Sequence, residues 1–497
     1  MSPRRSNPPS PLTFTPAGLL ANASEHKMSL VDQLCAMVLQ QIQSPEVTPG
    51  MRMPSVRQLS DSCEVSRDTV SRAYDKLVAH GHLESRPGSG FYVRTGGKPR
   101  RARATTPLGA AAEAGVKIKT QLDASSLRHR MLQSQHPWLS QTGSGLLPDA
   151  WLGEADLGAT LRSLGRSNQR GLMGYGDPQG YLPLRQQLQL KLGEMGIDAS
   201  AGQIVLTNGA TEALHLMVMS YLRTPGERVL VEDPGPFLLS ERLMVSGLDF
   251  AYVPREHDGP NIEVLRKLCE QHRPTMFFCS TVLHNPTSGQ MSAHKAFEVL
   301  RLADEFNFTI VEDDTYCDLM PATPSSQLVR MATLDQLRRV IYIGSFSKTL
   351  AAGLRVGYLA ASADRIEWIM AHKIASHIAG SSLTERTVYR LLSQGGYRHH
   401  CAQLRSRLDE LRLPLVNQLR ACGLEVARAP QAGMYVWARL PGKANAAAIA
   451  NRLLEQGHLL APEQLFSRRS NSQSHMRFNV GHSLDSPALF ALAELLG

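Results

Sequence analysis

The stretch Y-I-G-S-F-S-K-T-L-A-A-G-L-R-V-G-Y, residues 342–358, decides how the larger part of this chain folds. It continues an apolar run at 340–343, which predicts a buried strand that ends in small and hydroxylic residues. Lys348 follows this core strand, although lysine is usually a solvated surface residue. Such an amine can attack a carbonyl, and Arg355 can hold a phosphate with its planar fork of donors. Pyridoxal phosphate (PLP) carries both an aldehyde for the lysine and a phosphate for the arginine, so these residues together predict a PLP site. For this stretch alone, the alternative is an exposed Lys–Arg pair on a loop.

Length and composition predict the general class of the protein. The 497 residues exceed a single core, and 42% hydrophobic and 20% charged residues are typical of soluble globular proteins. The sequence has no run of about eighteen uncharged apolar residues, and its N-terminus lacks the apolar stretch of a secretory signal. Its seven cysteines are scattered without a C-x-x-C pair. We therefore expect two or more domains in the cytoplasm, with no membrane span and no metal site.

Positive charge is concentrated near the N-terminus. The net charge is +9, and residues 96–130 carry eight basic residues against Glu113 and Asp123. This stretch also has few large apolar side chains, so we expect a basic flexible linker at 95–145 and a disordered tail at 1–27. Such clustering is common in proteins that contact nucleic acid, although solvated linkers share it.

The segment between tail and linker, residues 28–94, has the pattern of a small DNA-binding domain. Residues 28–43 place their apolar side chains on one helical face, Ser55 can cap a second short helix, and a third helix restarts at Ser66. Residues 83–93 predict two short strands around P-G-S-G. Three helices followed by a two-stranded wing make a winged helix-turn-helix.

The same segment resembles a GntR-type DNA-binding domain along its whole length. The resemblance rests on P-G-x-x-x-P-S-x-R-x-L, V-S-R-x-T-V-x-R-A-Y-x-x-L and the G-S-G wing. It implies that the third helix enters the major groove of a double-stranded operator. The residues that it implies at the DNA are Arg57, Ser66, Arg67, Thr69, Arg72, Gly88, Ser89 and Gly90. A small helical domain for protein contacts is the alternative.

From about residue 146 to 497, helix-like segments alternate with short apolar strands. This pattern predicts an α/β domain with a mostly parallel sheet. The predicted strands are 204–206, 228–232, 275–279, 308–311 and 340–343. Ligands of such sheets lie beyond the carboxyl ends of the strands. The loops expected there include T-N-G-A-T at 207–211, H-N-P-T-S-G at 284–289 and V-E-D-D-T-Y at 311–316.

Each loop alone is a weak signal, but their order and spacing resemble fold-type I PLP enzymes of the aspartate aminotransferase superfamily. The strand P-Q-A-G-M-Y-V-W at 430–437 matches the G-G-M-F-x-W strand of that superfamily. The resemblance implies an internal aldimine at Lys348, Asp313 against the pyridine nitrogen, and a carboxylate of the substrate on Arg477. The other cofactor contacts that it implies are Asn285 and Tyr316 at the phenolic oxygen of the ring, Ser345, Ser347, Arg355, the amides of Gly209, Ala210 and Thr211, and Tyr175 from a second subunit.

Two positions depart from the superfamily pattern. In V-E-D-P-G-P-F, Pro236 occupies the position of the aromatic residue that stacks on the cofactor ring, and Phe237 follows it. We expect Phe237 to take over the stacking, or the ring face to be covered less well. The usual N-P-T-G has become N-P-T-S-G, so the turn after Asn285 is expected to differ.

The combination of both parts resembles MocR-type transcription regulators. It implies a head-to-tail homodimer that binds DNA and senses an amino compound, or PLP itself, through the aminotransferase-like domain. The alternative is a PLP-dependent aminotransferase with an accessory DNA-binding domain. A purely architectural DNA-binding protein would have no use for the residues around Lys348.

Overall fold

The computed structural model describes residues 12, 14, 29–44, 47–94, 127, 131, 139–167, 173–221, 228–321, 329–442, 444–468 and 474–497. The chain divides into two compact units, residues 1–119 and 120–497. Most of the predicted tail and most of the predicted linker lie outside the described residues. Within the described ranges, no helix is both long and apolar enough to span a bilayer, and no cluster of acidic, histidine or cysteine side chains could hold a metal ion.

The first unit contains the predicted winged helix-turn-helix. Its elements are α1 Leu30–Ile42, α2 Val56–Cys63, α3 Arg67–Ala79, β1 Leu83–Arg86 and β2 Gly90–Val93. Ser29, Ser55 and Ser66 cap the three helices through their hydroxyl oxygens. The strands pair antiparallel as the wing. The core includes Tyr74, whose hydroxyl donates to the carbonyl of Pro54 at 2.9 Å, and also the buried Leu12 and Phe14 of the predicted tail.

The second unit contains an eight-stranded sheet and a small three-stranded sheet. Its strands are β3 Ile204–Thr207, β4 Arg228–Asp233, β5 Asp249–Glu256, β6 Gly259–Pro260, β7 Met276–Cys279, β8 Thr309–Asp313, β9 Val340–Ser345, β10 Gly357–Ala360, β11 Tyr435–Arg439, β12 Ala461–Pro462 and β13 His475–Asn479. The large sheet has the order β3-β10-β9-β8-β7-β4-β5-β6. Its five central strands, from β9 to β5, are parallel, and β10 is antiparallel to both of its neighbours. This confirms the predicted α/β fold.

The helices of the second unit pack on the two faces of the large sheet and around the small sheet. They are α4 Asp149–Leu152, α5 Leu157–Ser167, α6 Leu182–Glu194, α7 Ala210–Tyr221, α8 Phe237–Val245, α9 Ile262–His272, α10 Ala293–Phe306, α11 Met331–Asp335, α12 Ala363–His377, α13 Ser382–Ser393, α14 Gly396–Ala421, α15 Ala446–Glu455, α16 Val480–Ser483 and α17 Pro487–Leu496. Along β9, Val340 and Tyr342 belong to one hydrophobic cluster, and Ile341 and Ile343 to another. A strand buried on both faces needs an uninterrupted apolar run, which is the pattern in its sequence.

The small sheet has the order β11-β13-β12 and packs with α14, α15 and α17 around a separate hydrophobic cluster. Residues 139–145, which the sequence analysis placed in the linker, pack against this part. Ser140 bridges His458, and the amide of Gly143 donates to the carbonyl of Leu459 at 2.6 Å. The two sheets together place the loops that carry the candidate site.

Candidate functional site

Three predicted site residues lie at one edge of the large sheet. Asp313 ends β8, and Lys348 and Asn285 follow β9 and β7. Strands β7, β8 and β9 are adjacent and parallel, so their carboxyl ends share an edge. The sheet topology therefore brings together residues that are up to 63 positions apart in the sequence.

The amine of Lys348 is half-buried, and its Nζ donates to the carbonyl oxygen of Gly145 at 3.0 Å. Burial lowers the pKa of Lys348 below its ordinary value, and the nearby guanidinium of Arg477 acts in the same direction, while Tyr435 and Asp313 oppose the shift. A lysine whose proton is held less tightly is a better nucleophile toward a carbonyl.

The acidic triplet 312–314 serves three different purposes. Glu312 accepts the backbone amides of Met331 and Ala332 at 3.1 and 2.8 Å, at the start of α11. Asp314 accepts from Arg330 Nε at 2.6 Å. Asp313 accepts only the amide and hydroxyl of its neighbour Thr315, and it forms no ion pair with any described residue. Burial raises the pKa of Asp313. Asp313 is therefore the acid of this triplet whose hydrogen bonds, among the described residues, all come from its own neighbour.

Arg477 is the other cation of the site, and its side chain is enclosed. Its guanidinium carbon lies 4.2 Å from the ring centroid of Tyr435 and 4.7 Å from that of Phe466. Its two terminal nitrogens donate to Asn285 Oδ1 at 2.7 Å and to the Gly143 carbonyl at 2.8 Å. Its buried Nε has no hydrogen-bond partner among the described residues. An acceptor bound at this donor would be favourable.

Tyr316 lies on the same side as Asn285 and carries the phenol that was predicted to reach the cofactor ring. Its hydroxyl lies 3.2 Å from the hydroxyl of Tyr435, and the two rings meet edge to face at 5.6 Å. The turn after Asn285 includes Ser288, the residue by which N-P-T-S-G exceeds N-P-T-G. The additional residue Ser288 adopts a left-handed φ of 52°, and its hydroxyl donates to the Tyr435 carbonyl at 3.0 Å.

The predicted phosphate-binding residues meet where α7 begins. Arg355 donates to the carbonyl of Asn208 at 2.8 Å, next to the first turn of α7 with Ala210 and Thr211. Gly209 has a φ of +75°, and a Cβ there would lie 2.8 Å from a nitrogen of Arg355. A helix N-terminus beside an arginine favours an anion. Of the three predicted amides, that of Gly209 already donates to the Thr207 carbonyl at 2.8 Å.

The structure also shows where four other predicted cofactor-binding residues lie, namely Ser345, Ser347, Phe237 and Tyr175. Ser345 and Ser347 are buried, and their hydroxyls lie 3.2 Å apart. Phe237 packs edge to face against Phe466, with ring centroids 6.2 Å apart. The neighbouring Pro236, not Phe237, lines a cavity with Asp313. Tyr175 is 88% exposed within this chain, so its role depends on a second copy.

Sequence analysis missed a segment that we call the strap, residues 142–146. The carbonyl of Gly143 accepts from Arg477, and that of Gly145 accepts from Lys348. The side-chain amide of Asn479 donates to the carbonyls of Ser144 and Leu146 at 2.9 and 2.7 Å. Its sequence signal was the pair of glycines at 143 and 145. A Cβ on Gly143 would lie 2.6 Å from backbone atoms of Leu460 and Ala461.

The donor set fits PLP. Lys348 is an amine with a lowered pKa, Asp313 is an acid without an ionic partner among the described residues, and Tyr316 provides a phenol. A Cβ on Gly209 would collide with the guanidinium of Arg355, so only glycine leaves room there. Arg477 retains a buried donor without a partner in the described part of the chain. These residues match the aldehyde, pyridine nitrogen, phenolic oxygen and phosphate of PLP. Arg477 in addition matches a carboxylate, which would belong to a second ligand.

The residues predicted at the DNA lie at the surface of the first unit. Arg57, Arg67 and Arg72 are exposed, and Arg57 Nε lies 3.9 Å from Asp61. Ser66 accepts the amide of Thr69 at 3.1 Å, and their hydroxyls lie 2.8 Å apart. In the wing, Gly88 and Gly90 have φ values of +70° and +107°, and the hydroxyl of Ser89 lies 2.6 Å from that of Tyr92.

Both parts of the chain match known families. Residues 139–487 match the model of aminotransferase class I and II, and the chain belongs to this family. Residues 30–93 match bacterial regulatory proteins of the gntR family. The chain thus joins a GntR-type winged helix to a fold-type I aminotransferase-like domain, which confirms the predicted fold class.

Particular relatives span one or both parts. The uncharacterized HTH-type transcriptional regulator YdfD of Bacillus subtilis (strain 168) is 26% identical over 460 residues, which cover 91% of this chain and 93% of YdfD. A 2-aminoadipate transaminase of Thermus thermophilus is 26% identical over 394 residues, which cover 78% of this chain and 96% of that enzyme. The crystal structure of Pyrococcus horikoshii kynurenine aminotransferase in complex with PMP shares the fold, with a TM-score of 0.67 and 21% identity over 78% of this chain and 97% of that one.

Proposed function

We propose that this protein is a DNA-binding transcriptional regulator that uses an aminotransferase-like domain to sense an amino compound or PLP. The observation that carries this proposal is the presence, in one chain, of a GntR-type winged helix and of an aminotransferase-like domain whose residues around Lys348 fit PLP. A relative that spans 91% of the chain is named a transcriptional regulator. The proposed location is the cytoplasm, where DNA, PLP and amino compounds meet.

The cofactor is proposed to lie along the edge of the large sheet. Lys348 would bind it covalently, Asp313 would face its pyridine nitrogen, and Asn285 and Tyr316 would hold its phenolic oxygen. The residues proposed at its phosphate and beside it are Ser345, Ser347, Arg355, Gly209, Ala210, Thr211, Phe237 and Tyr175 of a second copy. PLP supplies, when bound, an electrophilic carbon for amines and an electron-withdrawing ring.

Effector recognition is proposed at Arg477. The guanidinium is fixed between two rings, so its fork of donors is oriented before a carboxylate arrives. A carboxylate would take up the Nε donor and would compete with the Gly143 carbonyl for a terminal nitrogen. We therefore propose an effector with an amine for the Lys348 end and a carboxylate for Arg477.

DNA recognition is proposed on the exposed face around α3 and the wing. Arg67 and Thr69 at the start of α3 would reach bases or phosphates, and Arg57, Arg72 and the wing would hold the backbone. A head-to-tail homodimer would present two such faces to two half-sites. In such a dimer the second copy would cover Tyr175, which is 88% exposed in the single chain.

A second candidate function is catalysis of transamination. Arg477 and Lys348 are the groups that such a reaction needs, and a relative with 26% identity is named a transaminase. Turnover would require release of one substrate and binding of another at the same site. Conversion of an amino acid and a keto acid in many cycles would favour this candidate, whereas a single half-reaction is compatible with a sensor.

The test combines absorbance with DNA binding. Purified protein with added PLP should develop the visible absorbance band of a lysine-bound cofactor, and Lys348→Ala should abolish it. The exposed Lys267→Ala on α9 is the matched control and should keep the band. Operator binding by the wild type should change on addition of an effector amino acid, and Lys348→Ala should not respond. A protein that stays colourless with PLP would refute the cofactor site.

A further inference from the structure

Tyr435 connects three residues of the proposed site, although no role was assigned to it. It begins β11 and is 1% exposed. Its ring lies under the guanidinium of Arg477 at 4.2 Å, and its hydroxyl lies 3.2 Å from that of Tyr316. The same hydroxyl donates to the Gly145 carbonyl at 3.4 Å, and this carbonyl also accepts from Lys348.

The protons of the two hydroxyls determine the direction of their hydrogen bond. The carbonyl of Gly145 can only accept, so when Tyr435 donates its single proton to Gly145, the Tyr435 oxygen accepts from Tyr316. In this arrangement Tyr316 donates its only hydroxyl proton to Tyr435. Tyr316 cannot donate to Tyr435 and to the phenolic oxygen of PLP at the same time.

A bound cofactor would therefore reverse this hydrogen bond. When Tyr316 donates to the phenolic oxygen, its own oxygen becomes an acceptor, and the Tyr435 hydroxyl can turn from Gly145 to it. Burial raises the pKa of Tyr316 well above its ordinary value, so it stays a donor at neutral pH. Hydrogen bonds in such a chain polarise and strengthen one another.

We propose that Tyr435 is a positioning residue whose hydroxyl donates to Tyr316 and makes Tyr316 a stronger donor to the phenolic oxygen of PLP. This inference rests on the proposed cofactor site. A stronger donor stabilises negative charge on that oxygen, so the adjacent nitrogen of Lys348 holds its proton less tightly. Tyr435 thus sets the pH at which the lysine-bound cofactor changes protonation. Ser288 supports this position because its hydroxyl holds the backbone carbonyl of Tyr435 at 3.0 Å.

The experiment is a pH titration of the absorbance of the PLP-loaded protein. Tyr435→Phe keeps the ring under Arg477 and removes only the hydroxyl, so its titration midpoint should shift to higher pH by about 0.5 to 1 unit, the equivalent of one hydrogen bond. Tyr358→Phe is the matched control. Its hydroxyl is equally buried but has no hydrogen-bond partner among the described residues, so its midpoint should equal that of the wild type.

A double variant tests whether Tyr435 acts through Tyr316. Tyr316→Phe should shift the midpoint further than Tyr435→Phe, and Tyr316→Phe/Tyr435→Phe should titrate like Tyr316→Phe alone. Thermal unfolding of each variant checks that it is folded. An unshifted midpoint in Tyr435→Phe, or additive shifts in the double variant, would overturn the inference while the cofactor site stands. A wild type without a visible band would overturn both.

Discussion

At the scale of single residues, the site depends on which polar atoms have partners. Glu312 accepts two backbone amides and Asp314 accepts from Arg330, while Asp313 accepts only from its neighbour Thr315. Arg477 keeps one buried donor without a partner in the described part of the chain. Because an unsatisfied buried polar group is costly, a ligand acceptor at Arg477 Nε would lower the free energy.

The role of Arg477 leads to a prediction about effector chemistry. Arg477→Lys keeps the positive charge but loses the planar fork, so the protein should bind an effector amino acid about tenfold more weakly or worse. The measurement is the change in the absorbance of the PLP-loaded protein as amino acid is added. A primary amine that lacks a carboxylate is the internal control, and wild type and variant should respond to it alike. An equal loss for both ligands would contradict carboxylate binding at Arg477.

At the scale of elements, β8 connects the site to the rest of the sheet. Its last residues supply Asp313 to the site, and Glu312 to the first amides of α11. Neighbouring side chains on a strand point to opposite faces, so one strand end can serve a ligand and a helix at once. The carboxyl that holds the helix is fully buried, and burial raises its pKa to about 7.

This shift predicts how stability depends on pH. The pKa of Glu312 is raised on folding from 4.5 to about 7, so the folded state binds the proton more tightly than the unfolded state. The contribution of Glu312 to the free energy of unfolding is complete below the pKa of the unfolded state and is lost as pH rises through about 7. The wild type should therefore lose about 1–3 kcal/mol of unfolding free energy from pH 5 to 7 relative to Glu312→Gln.

Denaturant unfolding at several pH values measures this dependence. The exposed Glu367→Gln on α12 is the matched control, and its pH profile should follow the wild type. Parallel profiles for wild type and Glu312→Gln would show that the Glu312 carboxyl does not titrate in this range.

At the scale of the whole molecule, the strap connects the candidate site to the sequence before it. Gly143 and Gly145 accept from Arg477 and Lys348, and the basic segment 95–138 precedes them in the chain. A ligand that binds both Arg477 and Lys348 would compete with the backbone carbonyls of Gly143 and Gly145. The proposed response of the regulator requires unequal affinity of that ligand for two arrangements of the protein.

The linker leads to a prediction about DNA spacing. Deleting residues 96–115 shortens the connection between the DNA-binding domain and the larger domain, so a dimer should prefer a different separation of half-sites. Footprinting on operators with varied spacing measures this preference. A Gly–Ser segment of equal length in place of 96–115 should keep the wild-type spacing but reduce the salt dependence of binding, because its charges are gone. An unchanged preference in the deletion variant would refute a tethering role.

The sequence by itself determined the fold class and most candidate residues, because both depend on local patterns. The apolar run at 340–343 predicts a buried strand, which the structure places between two hydrophobic clusters, and the serines at 55 and 66 cap helices through hydrogen bonds to their own first turns. The tertiary structure alone decided which side chains meet. The hydroxyls of Tyr316 and Tyr435 lie 3.2 Å apart although 119 residues separate them, and the strap lies within reach of Lys348 across 203 residues. Such contacts form where loops that follow strands of the large sheet meet β11 and the strap, and no short pattern in the sequence encodes that meeting.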